Sequence, residues 1–121
     1  MKRILVIDDD GDIREILGEM LTDAGYEVVE ASSGKEGVGL YRDVQFDLVI
    51  TDLVMPEKDG LEVVMELRKD FPDVKIITLS GNAYGHSSLA TSKALGAALT
   101  LRKPFTEAQL LEAVREVLEL K

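Results

Sequence analysis

Short apolar runs alternate strictly with longer amphipathic stretches along this chain. That rhythm constrains the fold more than any other feature. Ile4-Leu5-Val6-Ile7 is an apolar run ending in three aspartates and reads as a strand buried on both faces, as in a parallel sheet. Ile13, Ile16, Leu17, Met20, Leu21 and Ala24 then fall on one helical face. Asp12 and Glu15 fit a capping box at its start, and Gly25 fits the position just past its end. The unit repeats. Residues 26–31 alternate like a half-exposed edge strand, and Ser33 with Glu36 could cap a helix using Val38, Tyr41 and Val44. Residues 46–51 form a third strand, followed by a helix capped by Asp59 and Glu62, carrying Val63, Val64, Leu67 and Phe71, and stopped by Pro72. Residues 74–79 are a fourth strand, 83–95 a helix stopped by Gly96, and 97–101 a weak fifth strand. Thr106 and Gln109 cap a last helix with Leu110, Leu111, Val114, Val117 and Leu118. Five βα units with short connections predict an α/β fold, a doubly wound parallel sheet with helices on both faces.

The length, 121 residues, suits a single domain over 1–121. The 23 acidic and 14 basic residues give a formal net charge of −9, a surface that repels nucleic-acid phosphates and anionic membranes alike. Cysteine is absent and histidine occurs once, which excludes disulfides, thiolate chemistry and His-rich metal sites. No apolar run approaches the ~18 residues that span a bilayer. The stretch after Met1-Lys2-Arg3 is too short for a signal peptide, so the cytoplasm is expected. The helix over 83–95 stands apart. Leu89 and Leu95 are its only large aliphatics, so it is either a poorly anchored surface helix or an element whose position can be switched.

In open α/β sheets ligands bind beyond the carboxyl ends of the strands, where the winding reverses. Asp8, Asp9 and Asp10 follow strand one, Asp52 strand three, Ser80 strand four, and Lys103 with Pro104 strand five. Each has an ordinary explanation alone: a loop acid, a turn residue, a surface lysine. All of them land on the same sheet edge, and if the strand order were 2-1-3-4-5, strands one and three would be neighbours and Asp8, Asp9 and Asp52 would converge. Two unit charges ~4 Å apart repel by about 4 kcal/mol at an effective dielectric near 20, so such a cluster must hold protons or bind a cation. Oxygen-only ligands with few carboxylates suit Mg²⁺, lysine is a point charge suited to phosphate, and a serine hydroxyl can donate to a phosphate oxygen. The inventory supports phosphoryl transfer to a carboxylate.

These residues, over essentially the whole chain, closely resemble the receiver domain of two-component response regulators. The resemblance rests on Asp8-Asp9, on Asp52 within Thr51-Asp52-Leu53-Val54-Met55-Pro56, on Asp59-Gly60, on Ser80-Gly81, and on Lys103-Pro104-Phe105. It implies a flavodoxin-like (βα)5 fold with strand order 2-1-3-4-5. Asp52 would be the phosphoacceptor, taking a phosphoryl group from a sensor histidine kinase, a phosphotransfer protein or a small acyl phosphate. Asp9 would ligate Mg²⁺ directly and Asp8 largely through water, with Asp52 and the Val54 backbone carbonyl as further ligands. Lys103 would contact the phosphoryl group, and Ser80 would hydrogen-bond it and pull the following loop inward. The resemblance also implies a switch acting on an output partner or output domain. Inverting a 1:99 equilibrium needs about 5.5 kcal/mol, which a few charge-assisted hydrogen bonds can supply. Asp10 is not carried over and reads as a loop acid. The family usually has an aromatic three residues before the lysine; Thr100 stands there, which puts the aromatic half of the switch in question, and Tyr84 reads first as an ordinary surface residue and only second as a partial substitute. Val54 and Asn82 flank the path of attacking water, and the lone His86 reads as solvated.

Three other readings compete with this one. Asp8-x-Asp10-Gly11 resembles the opening of haloacid-dehalogenase-type phosphatases, with Asp8 as nucleophile and Asp10 as general acid. However, Asp12 stands where that family has Thr or Val, and Asp52 would be left without a role. A degenerate receiver acting as a scaffold would lack some of the key side chains, and none is missing. A flavin-binding relative would need Ser, Thr or backbone donors where Asp8 and Asp9 stand.

Overall fold

Residues 1–81 and 96–120 are described by a computed structural model. Among them the expected alternation appears as β1 (Arg3–Ile7), α1 (Gly11–Asp23), β2 (Glu27–Ala31), α2 (Gly34–Asp43), β3 (Leu48–Asp52), α3 (Gly60–Asp70), β4 (Ile76–Ser80), β5 (Leu99–Arg102) and α4 (Glu107–Leu118). The helix expected over 83–95, together with Asn82, Tyr84 and His86, lies outside the described residues.

The five strands form one parallel sheet in the order β2-β1-β3-β4-β5. Ile7 pairs with both Ala31 and Thr51, Asp52 with Leu79, and Ser80 with Arg102. This register brings the residues following β1, β3, β4 and β5 to one carboxyl edge. Apart from Arg3, the residues of β1, β3 and β4 are buried, and alternate side chains feed two cores. Leu5, Ile7, Val49 and Ile76 pack under α2 and α3 with Val38, Tyr41, Val63, Val64 and Leu67. Ile4, Val6, Leu48, Ile50, Ile77 and Leu79 pack under α1 and α4 with Leu17, Leu21, Leu110, Val114 and Val117. Each fully buried aliphatic contributes about 1.5–3 kcal/mol, so the strand ends project from a rigid base. At Gly37 a Cβ would stand 2.3 Å from Ile7 Cδ1, so α2 approaches β1 as closely as a helix without a side chain allows.

Several boundaries differ from the sequence reading. β3, β4 and β5 begin two residues later than expected and end one residue later, because pairing with neighbouring strands sets their limits and local hydropathy does not. The capping box expected at Asp12 and Glu15 is not used. Asp10 caps α1, its Oδ1 accepting from Asp12 N–H at 2.9 Å and Ile13 N–H at 3.4 Å. The face expected of α1 is also narrower than its apolar residues: Leu17 and Leu21 are buried, Ile13 and Met20 partly so, while Ile16 is 52% exposed. Val44, expected inside the second helix, is its C-cap and is exposed. Ser33 caps α2 as expected, although Glu36 reaches back to the N–H of Ser32, one residue earlier than a capping box requires. The boxes at Asp59–Glu62 and Thr106–Gln109 are both complete, and Gly25 follows α1 with φ +97°.

Candidate functional site

Asp8 is the first residue beyond β1. Its N–H continues the ladder onto the Ala31 carbonyl at 3.1 Å, and its Oδ1 accepts the N–H of Asp10 at 2.9 Å. The residue is 1% exposed, and among the described residues its buried Oδ2 has no hydrogen-bond donor; Lys103 Nζ stands 3.8 Å away. Asp52 ends β3. The N–H of Val54 approaches its Oδ1 at 3.4 Å, and Lys103 Nζ lies 3.4 Å from its Oδ2.

The chain beyond β3 turns back tightly. Leu53 N–H bonds the Leu79 carbonyl at 2.9 Å and Gly60 N–H bonds the Leu53 carbonyl at 3.0 Å. A Cβ on Gly60 would stand 2.3 Å from the Asp52 carbonyl oxygen and 2.7 Å from Leu53 Cα. Glycine is therefore the residue that lets α3 begin directly beneath the Asp52 backbone. Lys103 is tethered from the other side, its N–H on the Ser80 carbonyl at 2.7 Å, and is joined to Pro104 by a cis peptide bond.

Asp8, Asp9 and Asp52 each offer a carboxylate oxygen, and these oxygens all lie within 4.8 Å of one another; Asp8 and Asp52 are buried, and Asp9 is exposed. Burial above all pushes the Asp8 carboxyl up from 3.8 to about 6. The Asp52 and Asp9 charges push it further up, while the Asp10 N–H and Lys103 pull it down. One lysine against three carboxylates leaves an excess of negative charge. The spare acceptor on Asp8 Oδ2 sits where a hard cation would use it. Oxygen donors from carboxylates, with room for water on the Asp9 side, fit Mg²⁺.

The structure therefore brings together Asp8, Asp9, Asp52 and Lys103, as the sequence predicts. Ser80 is fully buried at the end of β4, but its hydroxyl donates to its neighbour's carbonyl, Gly81, at 3.1 Å rather than to the acidic cluster. Val54 lies two residues beyond Asp52 with 40% of its surface exposed. Asp10 is occupied as the α1 cap, which removes the general acid that the phosphatase reading requires. Thr100 is partly buried on β5 opposite Thr78. Sequence patterning gives no sign of Arg14, whose Nη1 donates to the Asp8 carbonyl at 2.7 Å, because a side chain that serves a backbone oxygen leaves no motif.

Residues 4–115 match the family model described as the response regulator receiver domain. The chain is 37% identical over 117 residues to the chemotaxis protein CheY of Thermotoga maritima, covering 96% of this chain and 97% of that protein. It is 40% identical to the probable transcriptional regulator ycf27 of Porphyridium aerugineum over 97% of this chain, but spans only 48% of that longer protein. A response regulator receiver domain protein of Clostridium thermocellum superposes with a TM-score of 0.93 at 32% identity, covering 98% of this chain and 94% of that one.

Proposed function

The chain belongs to the response regulator receiver-domain family of two-component signalling, and from that membership we propose that it is a phosphorylation-dependent switch whose phosphoacceptor is Asp52. One observation carries this reading: Asp52 meets Lys103 Nζ at 3.4 Å beside two further carboxylates whose oxygens lie within 4.8 Å. Receiver domains are signalling domains rather than classical enzymes, and here the chemistry is a single transfer to the protein itself. A carboxylate oxygen of Asp52 attacks the phosphorus of a phosphohistidine on a sensor histidine kinase or phosphotransfer protein, or that of a small acyl phosphate. The O–P bond forms as the P–N or P–O bond breaks, and the electron pair leaves on the imidazole nitrogen or the departing carboxylate. The product is an acyl phosphate on Asp52.

Asp8, Asp9, Asp52 and the Val54 carbonyl are the residues that would hold Mg²⁺, which when bound neutralises charge on the phosphoryl oxygens. Lys103 lies near both buried carboxylates and shifts its charge onto the transferred group. The Ser80 hydroxyl exchanges the Gly81 carbonyl for a phosphoryl oxygen, which couples the site to the end of β4. In this reading residues 1–121 act as one receiver domain in the cytoplasm. It receives its signal from a kinase and passes it to an output partner or output domain, with no direct contact to nucleic acid or membrane. Among the described residues, no helix is long and apolar enough to cross a membrane.

Incubation with Mg²⁺ and acetyl phosphate, followed by intact-mass measurement, tests the reading. One added phosphoryl group is expected, absent from Asp52→Asn and absent when the metal is chelated. No adduct from either an acyl phosphate or a phosphohistidine donor overturns it.

A further inference from the structure

Arg14 reaches back from the start of α1 to the strand end that carries the acidic cluster. Its Nη1 donates to the Asp8 carbonyl at 2.7 Å, and its Nε stands 3.4 Å from Glu30 Oε1 on β2. The Arg14 side chain is 21% exposed and that of Glu30 45%. Among the described residues the guanidinium bonds the main chain of Asp8, not a carboxylate of the cluster. That carbonyl belongs to the peptide leading into Asp9. The peptide before Asp8 is already held by the Ala31 carbonyl, and the Asp8 side chain by the Asp10 N–H. The carbonyl of the peptide between Asp8 and Asp9 is the one that Arg14 Nη1 holds.

From this geometry we infer that Arg14, aimed by Glu30, is a positioning residue for the divalent-cation site: it orients the Asp8–Asp9 peptide so that both carboxylates converge on Asp52. The inference rests on reading Asp8, Asp9 and Asp52 as the Mg²⁺ site. It makes a prediction whose sign separates geometry from charge. A guanidinium beside a cation site repels the metal, so by Coulomb's law alone its removal would tighten binding. If Arg14 acts by orienting ligands, its removal weakens binding instead.

The test is calorimetric titration of Mg²⁺ into wild type, Arg14→Gln, Arg14→Lys and Glu30→Gln, with urea denaturation in chelator as the readout of folding. Arg14→Gln should bind Mg²⁺ about tenfold or more weakly, the usual loss when a partner behind a metal ligand is removed. Arg14→Lys keeps the charge but has one nitrogen for two partners, so it recovers only part of the loss. Glu30→Gln, which still offers Nε an acceptor, weakens binding by less than about fivefold, the worth of an exposed pair. Unchanged or tighter binding by Arg14→Gln overturns the inference, and so does full recovery by Arg14→Lys. If Arg14→Gln does not fold, Glu30→Ala compared with Glu30→Gln decides, since both remove the same charge: weaker binding by Glu30→Ala supports the role and equal binding overturns it. Failure of wild type to bind Mg²⁺ would overturn the metal site itself, whereas equal binding by wild type and Arg14→Gln would remove only the role of Arg14.

Discussion

Asp8 shows what the fold asks of a single residue. Burying a carboxylate with an unused oxygen raises its pKa from 3.8 to about 6. The folded state then binds the Asp8 proton more tightly than the unfolded chain does. Its favourable contribution is complete below about pH 3.8 and is lost as the pH rises through about 6. At pH 7 without metal, that loss corresponds to about 3 kcal/mol. Asp8→Asn should therefore raise stability in chelator at pH 7 and narrow its advantage over wild type towards pH 4. Urea denaturation across this range checks the difference; a constant gap between the two proteins would contradict the assigned titration. Val54 makes a second case. It is 40% exposed at the rim and offers water no base. Val54→Glu should lose the Asp52 phosphoryl group several-fold faster than wild type, short of the ~100-fold of a fully positioned base. Decay of phosphoprotein by intact mass measures it, and no slower decay in wild type would reject the idea. Both residues are visible in the sequence, Asp8 by its place after a buried strand and Val54 by its motif. The unused oxygen of Asp8 is not, because it depends on how far Lys103 reaches.

At the scale of elements, the β3–α3 junction concentrates the constraints. Asp59 and Glu62 cap α3 reciprocally, and Glu57 carries a φ of +66°, unusual for a residue with a side chain. Lys58 pairs with Glu66, which also meets Arg42 of α2 at 3.2 Å, so the loop beyond Asp52 is tied to two helices. The partnership with Lys58, and after it that with Arg42, holds the Glu66 carboxyl below its ordinary value. Gly60 lies at the centre of this junction. A methyl group there must displace the Asp52 carbonyl or the Leu53 backbone, since neither contact is the tip of a flexible side chain. Gly60→Ala should cost about 2 kcal/mol or more of stability and slow phosphorylation of Asp52 beyond what the lost stability explains. Denaturation and acetyl phosphate labelling, measured on the same samples, separate the two effects. The capping boxes here and at Thr106–Gln109 were legible because both partners lie within four residues. The start of α1 was not: Asp10 and Asp12 both had the right chemistry, and only the backbone path out of β1 selects the first. Strand ends shifted for a related reason, since ladder partners are remote in sequence.

For the whole molecule, alternation of apolar runs sufficed to specify a parallel sheet with two cores, because the central runs had to be buried on both sides. The strand order came from resemblance, not from hydropathy, since nothing in a run of Ile and Val names its neighbour. The order is also what makes the site: β1 and β3 are adjacent, so Asp8 and Asp9, just beyond β1, and Asp52, the last residue of β3, stand at the ends of two buried strands. Such strands open only when the molecule unfolds globally, whereas edges and termini open locally at lower cost. A ligand gripping the ends of β1 and β3 therefore stabilises the global transition and not one loop. At a hundredfold excess over its dissociation constant, Mg²⁺ should add about 2.7 kcal/mol to unfolding. Amides of Leu5, Val6, Val49 and Ile50 should then exchange about a hundredfold more slowly, while those of Glu119 and Leu120 beyond α4 stay unchanged. Asp8→Asn should abolish most of that response, because it removes a ligand charge while preserving the core. Hydrogen exchange with and without Mg²⁺ decides the matter. Protection confined to the loops after β1 and β3, with the strand amides unaffected, would mean that the metal orders the rim alone and that the sheet does not share its binding energy.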